Sequence, residues 1–175
     1  MQLQDKYRIA LLSAYALALH GFESLLPTPI PWLRLGLANI ITLTTLLLYG
    51  IRAAIMVTLI RVILSSLFTG TFLGPAFILS LGGGITSTFA MSFVFSIAPN
   101  LFSIIGLSLI GALFHNIAQL FLAYFLFIQR IEAMLLISPL IIFFGAITGT
   151  VNGVVSDILT KSLKKTDEKI QNVNA

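Results

Sequence analysis

Residues 101–128 read LFSIIGLSLIGALFHNIAQLFLAYFLFI, a run without a single Asp, Glu, Lys or Arg. Wound into an α-helix, it would extend about 42 Å at roughly 1.5 Å per residue, more than the hydrocarbon slab of a bilayer, which is about 30 Å thick. A helix satisfies its own backbone hydrogen bonds, which is what a segment in lipid requires. The polar residues in the run are ordered. Ser108, Gly111, Ala112, His115, Asn116 and Gln119 share one helical face, while Leu113, Phe114, Ile117 and Phe121 mostly point elsewhere. Such a face looks into a helix bundle.

Outward from this run, apolar stretches between polar or Pro/Gly punctuation predict spans near Arg8–Leu26, Leu33–Tyr49, Ile51–Phe68, Pro75–Ile97, Leu101–Ile128 and Met134–Thr160. The expected architecture is an all-α integral membrane protein, one domain over residues 1–175 with six transmembrane helices. The breaks have physical causes. Pro27, Pro29 and Pro31 lack backbone N–H groups, so the segment ending at interfacial Trp32 is a stiff turn. Pro99-Asn100 separates the fourth span from the fifth, and Gly70 to Gly74 the third from the fourth. The connection Tyr49-Gly50-Ile51-Arg52 is so tight that the second and third spans nearly merge.

The whole chain agrees with this. Of its 175 residues 58% are hydrophobic and only 9% charged, with mean hydropathy +1.04, too much apolar surface for one soluble core. No cysteine is present, which excludes disulfides, thiolate-held clusters and cysteine nucleophiles. Two histidines and six acids argue against a metal cage, and nothing implies a cofactor. The pI near 9.7 reflects membrane orientation and not nucleic-acid binding, because the basic residues are dispersed around helix ends. With the N-terminus inside, Lys6, Arg8, Arg52, Lys161, Lys164, Lys165 and Lys169 are cytoplasmic, Arg34 and Arg130 lie near the outer ends, and Arg61 is intramembrane. Both termini are therefore expected in the cytoplasm, of a multi-pass protein in the cell membrane. Ala16-Leu17-Ala18 resembles a signal-cleavage site, but the apolar run continues to Leu26, so the first helix is retained. The polar stretch from Lys164 to Ala175 is expected to fray into solvent.

Polar groups in hydrocarbon are costly unless they face the bundle interior, pair, or meet water or a ligand, which makes their positions informative. Ala54, Thr58, Arg61 and Ser65 form a second stripe, and Gly145, Thr148, Gly149, Asn152 and Ser156 a third. Under the predicted topology His20, Glu23, Arg34, Asn39, Arg61, Ser80, Ser87, Thr88, His115, Asn116 and Gln119 share the outer half to the middle of the bundle. The functional reading is a cavity opening outside, in which Arg61, with Arg34 near the mouth, attracts a small polar or anionic molecule. The candidate substrate-binding set is Arg61, Asn39, His115, Asn116, Gln119, Arg34 and Glu23. The competing reading is structural: Glu23 pairs with Arg34 or Arg61, and the amides stitch helices together.

Three further features bear on function. Gly82-Gly83-Gly84 lacks the context of a phosphate loop and fits either close helix packing or a local opening of its span. Ala10, Ala14 and Ala18 repeat every four residues and form a smooth stripe, a candidate for docking a partner helix or for internal packing. No Walker motif and no DDxxD exist in the chain, so neither ATP hydrolysis nor Mg²⁺-dependent prenyl elongation is expected of it, and it is not read as an enzyme.

The segments Pro29 to Ile41, Arg61-Val62-Ile63-Leu64-Ser65-Ser66-Leu67 and Phe77-Ile78-Leu79-Ser80-Leu81-Gly82-Gly83 together resemble the Gx transporter family, which also bears the label heptaprenyl diphosphate synthase component I. That family is in turn similar to the S components of energy-coupling factor transporters. The resemblance implies a six-helix, S-component-like bundle that captures a vitamin-like solute and docks on a transmembrane T subunit carrying two ATPases. It also implies that AxxxA at Ala10/Ala14 and again at Ala14/Ala18 meets that partner. Two other readings remain. One is a non-catalytic membrane accessory to a prenyl synthase or to a quinone or redox enzyme. The other is a solitary carrier driven by an ion gradient, with His20, Glu23 or His115 relaying protons.

Overall fold

The computed structural model describes residues 3–25, 37–99 and 101–173. Arg34, the prolines of the first connection and Asn100 lie outside the described residues, as do the side chains of His20 and Glu23. The described residues form five α-helices and one π-helical turn: α1 (Leu3–Leu25), α2 (Asn39–Phe68), α3 (Pro75–Ile97), α4 (Ile104–Ala123), the π turn Tyr124–Ile128 and α5 (Ile131–Val173). Four of these segments, Asn39–Phe68, Pro75–Ile97, Ile104–Ile128 and Ile131–Thr166, are long and apolar enough to cross a membrane, and α1 contains a shorter apolar stretch, Tyr7–Leu19.

The expected six separate helices are thus replaced by five, and the difference lies in α2. Gly50 has φ 79° and ψ −178°, a conformation essentially reserved for glycine, and it breaks the helix internally. Two side-chain bonds show the chain doubling back there. Thr42 and Thr58 hydroxyls meet at 3.3 Å, and Arg61 Nη2 donates to Asn39 Oδ1 at 2.9 Å. In a straight helix these pairs would stand about 24 Å and 33 Å apart. The element is therefore a helical hairpin with arms 39–49 and 51–68.

Each helix buries a stripe. Ile9, Leu12 and Ala16 of α1 pack on Ile40, Ile41, Ala53 and Val57 of α2, and a second cluster joins Leu43, Leu46 and Ala54 to Met91 of α3 and Leu107 of α4. Helix α3 lies between α2 and α4, while α5 packs against α4 and returns to α2. The outward faces are apolar: Phe93, Phe143 and Leu136 are all more than 60% exposed, as suits a surface solvated by lipid. On the same outward side, a backbone group freed by proline finds a partner. Pro139 deprives the Leu135 carbonyl of its helical donor, and the Ser138 hydroxyl donates to that carbonyl at 3.2 Å.

The C-terminal stretch corrects the expectation of fraying, since α5 continues to Val173. Its Lys, Glu and Gln residues are good helix formers, and Lys161 pairs with Asp157 one turn earlier at 2.7 Å. At roughly 1.5 Å per residue α5 is about 64 Å long, so its last turns project well beyond the bilayer at the end of the bundle marked by Gly50.

Candidate functional site

The polar interior is organised around the three consecutive glycines of α3. The helix is continuous across them, which decides for close packing over a local opening. Each glycine receives a different neighbour. A Cβ on Gly82 would collide with Leu122 Cδ1 of α4. One on Gly83 would stand 2.9 Å from His115 Nδ1 and 3.0 Å from Gln119 Cγ, and one on Gly84 would stand 3.0 Å from Thr58 Cγ2 and 3.4 Å from Arg61 Nη2. Bare backbone at adjacent positions, about 100° apart around the helix, thus seats the α4 polar pair on one side of α3 and the α2 cation on the other.

Arg61 is 3% exposed. Holding a guanidinium in the membrane costs about 3 kcal/mol on insertion scales, so its partners matter. Asn39 Oδ1 accepts from it across the hairpin, which places Asn39 beside Arg61 as the sequence reading requires of a shared site. Below this pair runs a chain of buried hydroxyls. Thr88 Oγ1 donates to the Gly84 carbonyl at 2.8 Å and lies 3.2 Å from Thr58 Oγ1, which lies 3.3 Å from Thr42 Oγ1. Because each hydroxyl has one proton, a Thr88 proton committed to Gly84 makes Thr58 the donor to Thr88 and Thr42 the donor to Thr58. The relay ties both arms of α2 to α3 and ends on the carbonyl beside Arg61.

The α4 face divides. Ser108, Gly111, His115, Asn116 and Gln119 are all buried, and Leu113, Phe114, Ile117 and Phe121 exposed. However, His115 and Gln119 face Gly83, whereas Asn116 Nδ2 turns to α5 and donates to the Ile141 carbonyl at 3.1 Å. Gly145 makes room for it, because a Cβ there would collide with Asn116 Nδ2. Asn116 is therefore an interhelical tie. Ser156 Oγ likewise donates to the Ile40 carbonyl at 3.0 Å, fastening α5 next to Asn39. Ala10, Ala14 and Ala18 are exposed on α1, while Ser13 is buried.

The structure thus brings Arg61 to Asn39, and His115 to Gln119, on the two sides of one α3 segment. Arg34 and Glu23 lie outside its described side chains. Two cavities lie away from the polar interior: an apolar one of about 230 Å³ between Pro75, Leu79, Ala123 and Phe127, and one of about 510 Å³ between α1, α2 and α5. Sequence reading placed Thr88 in the same half of the bundle as Arg61 and offered close packing for the glycines, but it passed over Thr42 and did not foresee that Gly83 and Gly84 seat the two polar groups. The available signal was the set Ser80, Ser87 and Thr88 flanking three glycines in an otherwise apolar run.

A bundle of long apolar helices, with buried cationic and hydroxyl groups inside and hydrocarbon outside, defines a multi-pass helical membrane protein. The chain is similar in structure to a protein described in "Structure and mechanism of the S component of a bacterial ECF transporter", with TM-score 0.73 and 24% identity, over 95% of this chain and 98% of that one. The two share a fold. The family model for heptaprenyl diphosphate synthase component I matches residues 12–159, and the chain belongs to that family. No curated protein matches it.

Proposed function

We propose that the chain is the substrate-binding membrane subunit of an uptake system for a small polar or anionic metabolite, working as an S component with a T subunit and ATPases. The carrying observation is the buried Arg61, held by Asn39 above the threonine relay and flanking the same α3 segment as His115 and Gln119. In this reading Arg61 compensates the solute's charge, Asn39, His115 and Gln119 orient it, and Arg34 and Glu23 stand near the entrance. Asn116 contributes by holding α4 on α5. With the hairpin arms of α2 counted separately, the chain crosses the cell membrane six times with both termini cytoplasmic. The excess of Lys and Arg at the Gly50 end supports this, and an extracytoplasmic C-terminal reporter would refute it. The exposed alanines of α1 are the proposed T-subunit contact. The subunit itself is not catalytic.

The family description favours a second reading, a membrane accessory to a prenyl synthase. Purification from membranes under native conditions separates the two. Recovery with a T subunit and ATPases supports transport, and recovery only with a prenyl synthase or redox enzyme supports the accessory role. Solute uptake that needs no ATPase and collapses with the proton gradient would instead indicate a solitary carrier.

A further inference from the structure

The cavity of about 510 Å³ lies outside the polar interior, between α1, the first arm of α2 and the end of α5. Its lining is graded. The Ser156 to Ile40 bond fixes one level, and α5 shares the groove from there onward with the first arm of α2, Leu159 packing by Ile41 and Thr166 lying toward Tyr49. Successive spans of a chain that crosses and recrosses a bilayer run antiparallel, so α1, packed on the first arm of α2, contributes Arg8 at the Tyr49 level and Leu19 at the Ile41 level. One end of the groove is thus Arg8, Tyr49 and Thr166, and the other is wholly aliphatic. Over its length of about 16 Å the groove passes from the Gly50 end of the bundle toward mid-membrane.

We infer that this groove holds an anionic phospholipid, with its phosphate at Arg8 and an acyl chain running inward past Leu11 and Leu12. Three observations select this occupant. The polarity gradient follows that of one bilayer leaflet. The polar end is cationic, with Arg52, Lys164 and Lys165 exposed at the same end of the bundle. Arg8 holds an interaction within the protein, yet a guanidinium has five N–H donors and can bridge to a phosphate as well. Finally, the groove opens sideways to the bilayer along an α1 wall where Leu11 and Tyr15 are more than half exposed, so an acyl chain can enter it from the surrounding lipid.

The test is native mass spectrometry of the purified full-length chain, titrated with phosphatidylglycerol and phosphatidylcholine of matched acyl chains. The expected result is retention of phosphatidylglycerol about fivefold over phosphatidylcholine, what one basic residue at an anionic surface is worth. Arg8→Gln should bring the ratio near one. Leu11→Trp, which fills the groove from an exposed position, should weaken both lipids, while Phe93→Trp on the far side of α3 should change neither. Equal retention by the wild type, a ratio unchanged in Arg8→Gln, or binding indifferent to Leu11→Trp would each overturn the assignment. Should Arg8→Gln not fold, Leu11→Trp decides alone.

Discussion

Replacing Gly83 by Ala probes the seat on which the candidate site rests. The added Cβ would stand 2.9 Å from His115 Nδ1 and Cε1 and 3.0 Å from Gln119 Cγ, closer than side chains tolerate. Alanine gains about 1 kcal/mol of helix propensity, and overpacking costs about 1–3 kcal/mol, so the net change runs from near zero to about 2 kcal/mol of destabilisation. The effect on binding is larger in proportion. His115 and Gln119 must retreat together, and one hydrogen bond lost from each, at about 1 kcal/mol apiece, lowers solute affinity about 30-fold. Thermal unfolding in detergent and retention of co-purified solute measure the two effects. Gly106→Ala is the control, since a Cβ there meets nothing closer than 3.5 Å. If Gly83→Ala melts no lower than Gly106→Ala and keeps its solute, the glycines do not seat the polar pair and the reasoning fails.

Two further perturbations separate backbone and packing effects from binding. Gly50→Ala should destabilise the protein by about 1–3 kcal/mol through backbone strain alone, because no atom lies within 4 Å of the added Cβ; an unchanged melting temperature would show that the hairpin does not depend on this conformation. Asn116→Ala should lower stability by about 0.6 kcal/mol and at most about 1.7 kcal/mol, the average and the maximum for interhelical bonds in membranes, while solute affinity changes less than in Gly83→Ala. A binding loss exceeding that of Gly83→Ala would return Asn116 to the solute.

Much of the architecture was legible in the sequence because lipid leaves few choices. An apolar run must be a helix, and the predicted bounds Pro75–Ile97 coincide with α3 because Gly74 and Pro75 at its start and Pro99 beyond its end stop the helix sharply. The tight connection at Gly50 was legible as a break, but whether it separates two helices or bends one depends on the glycine's dihedral angles, which composition does not encode. Helical projection correctly buried His115, Asn116, Gln119 and Arg61. It did not resolve direction. Residues 115 and 116 differ by about 100°, enough to send one side chain to α3 and the next to α5, and the outcome depends on where neighbouring glycines leave space. The C-terminal stretch was misjudged because polarity speaks of solvent exposure, whereas helix persistence follows propensity and local ion pairs.

On the proposed function, the buried cation of α2 holds a solute. Native mass spectrometry of wild-type and Arg61→Ala chains extracted gently from membranes tests it most directly, with circular dichroism confirming that both are folded. The expected result is a small non-lipid adduct on the wild type that is absent from Arg61→Ala and partly restored in Arg61→Lys. A wild type carrying no such adduct, or one retained equally by Arg61→Ala, would mean that Arg61 only ties α2 together.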